Sequence, residues 1–274
     1  MSELLAAHAE NVTLAHDGGR VALDAVSFSV RAGECVAIIG PSGAGKTTLL
    51  QIFATALRQS GGALTLLGED PWSLASGARR RLRRRIGLIH QTPPLPPRQR
   101  VVTAVLAGRL GAWRLPRALA SLAYPADVDG ARAALTRFDL ADRIYDRCDK
   151  LSGGQAQRVG IARVLYQQPE LILADEPVSA LDPALSNYTV GVLVDEARAR
   201  KVTLIASLHA IDLALAHFPR IIGLRDGRIA FDLPATAVDE ALLESLYAQE
   251  GFLPTQGRNV VLPGLRLPTS ARCL

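Results

Sequence analysis

Cysteine is scarce and scattered in this 274-residue chain: Cys35, Cys148 and Cys273 are odd in number and far apart. That pattern supports neither a disulfide framework nor a cysteine metal cluster, and it suits a reducing cytosol. Long apolar runs are missing too. The nearest, VTLIASLHAIDLALAHF at 202–218, is broken by His209 and Asp212, which would be costly in hydrocarbon, so no membrane span is expected. The opening MSELLAAHAE lacks the basic start and apolar centre of a secretory signal. Aromatics are only 5% of residues and none is interleaved with the basic run ARRRLRRRIG, so no nucleic-acid partner is expected.

What is present describes a globular protein. Hydrophobic residues make up 49% and charged residues 21%, which excludes disorder of the whole chain and provides for a sizeable core. The net charge of +5 owes much to Arg79–Arg81 and Arg83–Arg85. Those arginines read as a solvated face before a buried strand, with an acidic partner or anionic headgroups as the alternative.

Organisation follows from periodicity. NVTLAH and RVALDAVSFSV flank the turn signal at Asp17–Gly19 and predict a β-hairpin. ECVAIIG is a near-continuous apolar run of the kind that forms a strand buried on both faces, and TTLLQIFATAL follows at helical period. LILAD at 171–175 and VTLIASL at 202–208 predict two more buried strands, with PALSNYTVGVLVDEARAR as the helix between them. Asp182 is placed to cap that helix, with Pro183 at its first position. This alternation argues for an α/β fold with a mainly parallel sheet. The run TPPLPPRQR at 92–100 reads as a non-helical connector, and helical period with no convincing strand continues to Tyr166. IIGLRDGRIAF predicts a second hairpin turning at Asp226-Gly227, and a short helix follows at about 238–248. We therefore expect one domain over 1–252, a helical subdomain inserted at about 92–166, and a poorly ordered tail over 253–274.

Three stretches carry chemistry. GPSGAGKT, Gly40 to Thr47, matches the phosphate-loop pattern and directly follows a predicted strand. Its glycines let the backbone wrap a phosphate chain, so that N–H groups from Ser42 to Thr48 point inward and the helix dipole adds to the attraction. Lys46 would reach the β- and γ-phosphates, and Thr47 would offer its hydroxyl to Mg²⁺. LILADEP delivers Asp175 and Glu176 to the carboxyl end of a strand, where ligands bind in open α/β sheets. Two carboxylates there suggest one that holds a metal and one that activates a water. LSGGQ is the third stretch: Ser152 caps a helix, and Gly153 and Gly154 free the backbone to approach an anion. A chain with two anion seats so far apart in sequence needs an explanation.

Together Gly40–Thr47, Gln91, LSGGQ, LILADEP, SALD and His209 resemble, in order and spacing, the ATP-binding-cassette family over residues 10–250. The resemblance implies a phosphate-loop ATPase core with an N-terminal antiparallel β subdomain and an inserted α-helical subdomain. It implies that two such domains pair head to tail, each LSGGQ closing on ATP held by the other, which accounts for two seats. By the same resemblance Gly40, Pro41, Ser42, Gly43, Ala44, Gly45, Lys46, Thr47 and Thr48 bind the nucleotide. Ser152, Gly153, Gly154 and Gln155 reach it from the second chain, and Asp182 lies at the dimer interface. Gln91 would touch Mg²⁺ and the attacking water, Asp175 would hold Mg²⁺ through water, and Glu176 would be the general base. His209 would face the γ-phosphate. His16 aligns with the aromatic that stacks on adenine.

The resemblance can be refined. LAGRLG, ADEPVSALDP, SLHAIDLA and GLRDGRIAFD are similar to the phosphonate-import ATPases, although TPPLPPRQR departs from the apolar segment usual in that group. This implies an ATP-hydrolysing subunit on the cytoplasmic face of the membrane, served by ATP and Mg²⁺. Its implied partners are permease subunits, a substrate-binding protein and a second ATPase subunit. An exporter or lipid-extraction ATPase, and a non-transport accessory ATPase of phosphonate breakdown, are the alternative readings.

Overall fold

The computed structural model describes residues 4–15 and 21–248. His16, the turn at Asp17–Gly19 and the 253–274 tail lie outside the described residues. In chain order the elements are β1 (Leu5–Ala15), β2 (Val21–Arg31), β3 (Cys35–Ile39), α1 (Lys46–Phe53), β4 (Gly61–Leu66), α2 (Ser76–Arg85) and β5 (Ile86–Ile89). Four helices follow with no strand between them: α3 (Val101–Leu106), α4 (Leu115–Ala123), α5 (Val128–Thr136) and α6 (Gly153–Gln167). The chain then alternates through β6 (Leu171–Asp175), α7 (Pro183–Ala199), β7 (Thr203–Ser207) and α8 (Ile211–His217). It closes with β8 (Arg220–Arg225), β9 (Arg228–Pro234) and α9 (Glu240–Tyr247).

The central sheet has the order β5-β6-β7-β3-β8-β9. Its pairs are parallel except the terminal β8–β9 hairpin, which turns through Asp226 and Gly227 at φ 50° and 76°, the positive angles a tight hairpin turn requires. A second, antiparallel sheet of order β2-β1-β4 includes the N-terminal hairpin. The fold is therefore α/β with a mainly parallel core sheet and an antiparallel N-terminal sheet.

Why β3, β6 and β7 read as unbroken apolar runs is visible in the packing. Alternate residues of a strand leave opposite faces. Ala37, Ile39, Ile172 and Ala174 join one hydrophobic cluster with residues of α3, α5, α6 and α7. Val36, Ile38, Leu171 and Leu173 join the other, with α1 and the antiparallel sheet. All five residues of each of these three strands are buried. Phe28 of β2 and Phe53 of α1 stack at 5.5 Å between ring centroids, pinning the antiparallel sheet to the helix.

Two local expectations need revision. Helical period suggests that α1 runs on to Leu57, but it ends at Phe53, and Thr55 takes a left-handed φ of 56°. Thr55 is held there by Arg83 of α2, whose guanidinium donates to the threonine hydroxyl at 2.7 Å and to its carbonyl at 2.8 Å. Strand β4 carries no clear signal in the sequence, because its glycine-rich start masks the alternation and its identity depends on pairing with β1. The basic run itself forms α2, burying only Leu82. Cys35 and Cys148 are buried thiols, and burial raises the pKa of each.

Candidate active site

The site is built at the carboxyl ends of β3 and β6. Strand β3 delivers the glycine loop, and α1 begins at Lys46 after Gly45, whose φ of 104° lies in the region that favours glycine. A Cβ at Gly45 would meet the Ala22 carbonyl oxygen at 2.6 Å, so the loop also needs glycine for space. The Lys46 ammonium folds back along the loop and donates to the carbonyls of Gly40 at 2.6 Å and Pro41 at 3.0 Å. It thereby sits across the mouth of the loop, where a phosphate chain would lie.

Strand β6 delivers the carboxylates. Asp175 is 9% exposed, and its Oδ1 accepts from the Thr47 hydroxyl at 3.0 Å and the Ser207 hydroxyl at 2.8 Å. No basic side chain pairs with it among the described residues. A sheltered carboxylate bonded only by hydroxyls, beside the phosphate loop, fits a hard divalent cation. Among the described residues no cluster of three or more His, Cys, Asp or Glu could hold a metal.

Glu176 follows with a left-handed φ of 46°, a conformation that is strained for a non-glycine residue. Its N–H donates to the Ser207 carbonyl at 3.2 Å and hydroxyl at 3.1 Å, which holds the turn. The turn aims the side chain between two others. Gln91 Nε2 donates to Glu176 Oε2 at 2.8 Å, and His209 Nε2 lies 2.6 Å from Glu176 Oε1. Residues from three strand ends (β5, β6 and β7) thus meet on one carboxylate.

These groups share one cavity of about 610 Å³, lined by the loop from Ser42 to Thr48 together with Gln91, Glu176 and His209. Gly40, Pro41 and Asp175 do not line it; Asp175 lies behind Thr47, whose hydroxyl it accepts from. Val21, Ala22, Asp226 and Gly227 line it too, and no sequence signal singled them out for that role. Nothing of the LSGGQ stretch lines it. Ser152 instead caps α6 with a reciprocal pair: the Gln155 N–H donates to the serine hydroxyl at 3.2 Å, and the Ser152 N–H donates to Gln155 Oε1 at 2.9 Å. Gly153 is exposed, and a Cβ there would meet nothing within 4 Å; at Gly154 it would meet Leu181 Cδ2 at 2.7 Å. Asp182 also lies outside the cavity and caps α7 by accepting from the Leu185 N–H at 3.0 Å.

A strand, a glycine loop and a helix, with carboxylates at the end of a parallel strand one place removed in the same sheet, define a phosphate-loop nucleotide-binding protein. Comparison with known proteins narrows the class. Residues 23–179 match the family model described as ABC transporter. The phosphonates import ATP-binding protein PhnC 2 of Pseudomonas aeruginosa is 64% identical over 241 residues, covering 88% of this chain and 90% of that protein. The phosphonates import ATP-binding protein PhnC 1 of Cupriavidus necator is 56% identical over 259 residues, covering 94% and 92%. Among solved structures, a dimeric ATP-binding cassette in a post-hydrolysis state with ADP and Pi bound has a TM-score of 0.73 at 28% identity, covering 84% of this chain and 98% of that one. The chain belongs to the ABC transporter family and is an ATPase of that family.

Proposed function

We propose that the chain is the ATP-binding and ATP-hydrolysing subunit of a membrane importer for phosphonate or a related phosphorus oxyanion. The cavity supports the ATPase half of this reading through one observation above all: Gln91 and His209 close on the two oxygens of Glu176 beside the phosphate loop. The names of the relatives support the transport half.

Lys46 and the loop N–H groups would hold the β- and γ-phosphates. Thr47 and Asp175 would hold Mg²⁺, which when bound neutralises phosphate charge and orients the chain. Glu176, steered by Gln91 and His209, orients the attacking water and accepts its proton. Gly153 and Gly154 would supply N–H donors, and Ser152 its hydroxyl, to ATP on a second copy, with Gln155 holding the cap; all four lie outside their own chain's cavity. Asp182, which caps α7, would lie at that junction. His16 would meet the adenine. Catalysis on this account is positioning and charge stabilisation, with no covalent intermediate.

No helix among the described residues is long and apolar enough to cross a membrane. The transport reading therefore requires integral permease subunits, with this chain on their cytoplasmic face and a substrate-binding protein on the other. Purification of the tagged chain from detergent-solubilised native membranes tests it. Recovery of an integral permease, together with phosphonate uptake that is lost in a Glu176→Gln strain, is the expected result. Recovery of soluble enzymes alone, with uptake intact, would sink it.

A further inference from the structure

We infer that Tyr247 is a positioning residue for nucleotide binding: from the far end of the chain it holds the start of the phosphate loop. The inference rests on the loop being the ATP site. Gly40 has a φ of 151°, and a Cβ there would lie 1.9 Å from the Leu224 carbonyl oxygen, so the loop leaves β3 pressed against β8. Its N–H is buried and needs an acceptor. That acceptor is the Tyr247 hydroxyl at 3.0 Å, 207 residues further along the chain. The carbonyl of the same glycine accepts from Lys46 Nζ at 2.6 Å. Both bonds flank one Cα, so a displacement of Gly40 moves both the N–H and the carbonyl that anchors the lysine.

Helix α9 is fixed well enough to serve as a brace. Leu246 and Tyr247 are 2% and 5% exposed and join the core cluster. The Arg225 guanidinium of β8 donates to the Ser245 carbonyl in the last turn of α9. The β8–β9 turn adds a second strut, the Gly227 N–H donating to the Ala44 carbonyl in the middle of the loop at 3.1 Å. Both struts come from beyond residue 179, where the family match ends. Phenylalanine at 247 would keep the ring in its place and leave the Gly40 N–H without its acceptor, an omission that is expensive in a buried site.

The test measures the dissociation constant of a fluorescent ADP analogue with Mg²⁺ for the parent, Tyr247→Phe and Leu135→Ala, a buried substitution in α5, alongside melting temperature and amide exchange at Gly40. Tyr247→Phe should weaken binding by about five- to tenfold and speed exchange at Gly40. Leu135→Ala should lower the melting temperature at least as much, yet keep the parent's affinity. Parental affinity in Tyr247→Phe, or equal weakening in both variants, overturns the inference and leaves the ATP reading standing. A parent that fails to bind the analogue overturns both.

Discussion

The phosphate loop and the LSGGQ stretch are both glycine-rich helix starts, and they are built in opposite ways. At the phosphate loop the backbone is crowded: a Cβ on Gly40 would press on the Leu224 carbonyl, and one on Gly45 on the Ala22 carbonyl. Lys46 is folded onto the loop's own carbonyls, and Tyr247 and Gly227 brace it from behind. In the LSGGQ stretch Ser152 and Gly153 are exposed and the other three residues half-buried; it is capped by Ser152 and Gln155, with open space over Gly153 and only the Leu181 side chain close to Gly154. One seat is completed within the chain and the other faces outward. That difference is what a site shared between two copies requires.

Substitutions can break or sharpen this contrast. The largest effect belongs to the completed seat. Glu176→Gln keeps the shape but removes the proposed base, and ATP turnover should fall by about 10²–10⁴-fold with nucleotide binding retained. Parental turnover would take Glu176 out of that role.

The glycines give the next contrast. Gly40→Ala drives a methyl into a carbonyl at 1.9 Å and should destabilise the protein by about 3 kcal/mol or more. Gly153→Ala meets nothing and should stay within about 0.5 kcal/mol of the parent. Denaturant titration of both variants checks the pair, and equal losses would erase the distinction.

Ser152→Ala removes the cap of α6 and should cost about 1 kcal/mol. Thermal melts compared with an exposed-serine control read that loss, and a null shift would mean the cap carries no stability.

An effect of similar size, and one that depends on pH, lies near the other end of α6. The Tyr166 hydroxyl donates to Asp127 Oδ2 at 2.7 Å, and this bond holds the Asp127 carboxyl below the usual carboxylate range. A folded pKa below the unfolded one adds stability that is full above the ordinary carboxylate pKa and is lost as pH falls through the folded value. Tyr166→Phe should therefore cost about 1 kcal/mol at neutral pH. The gap to the parent should shrink below about pH 4. A gap that is constant with pH would detach it from Asp127.

The sequence makes the chemistry legible where it is local. The loop at Gly40–Thr48, the carboxylates at 175–176 and the caps at Ser152 and Asp182 depend on neighbours a few residues away, and periodicity and propensity report on those. The β8–β9 turn is readable for the same reason, since Asp226-Gly227 is a local signal. What stayed hidden depends on distant partners. The end of α1 is set by Arg83 gripping Thr55, and β4 is a strand because β1 is beside it. The Ser207 hydroxyl that shapes the Asp175–Glu176 turn arrives from the next parallel strand, and Tyr247 comes from the far end of the chain. No short window contains these pairs.

The most direct test of the shared site mixes two inactive variants. Lys46→Ala disables the completed seat, and Gly153→Asp places a carboxylate where the partner's phosphate would come. Aspartate there has room, and it favours the helix start, so folding should survive. If two identical chains pair head to tail, equal mixing should restore about one quarter of parental ATPase activity, because half the dimers carry one intact site. No recovery from two folded, freely exchanging variants would contradict the account.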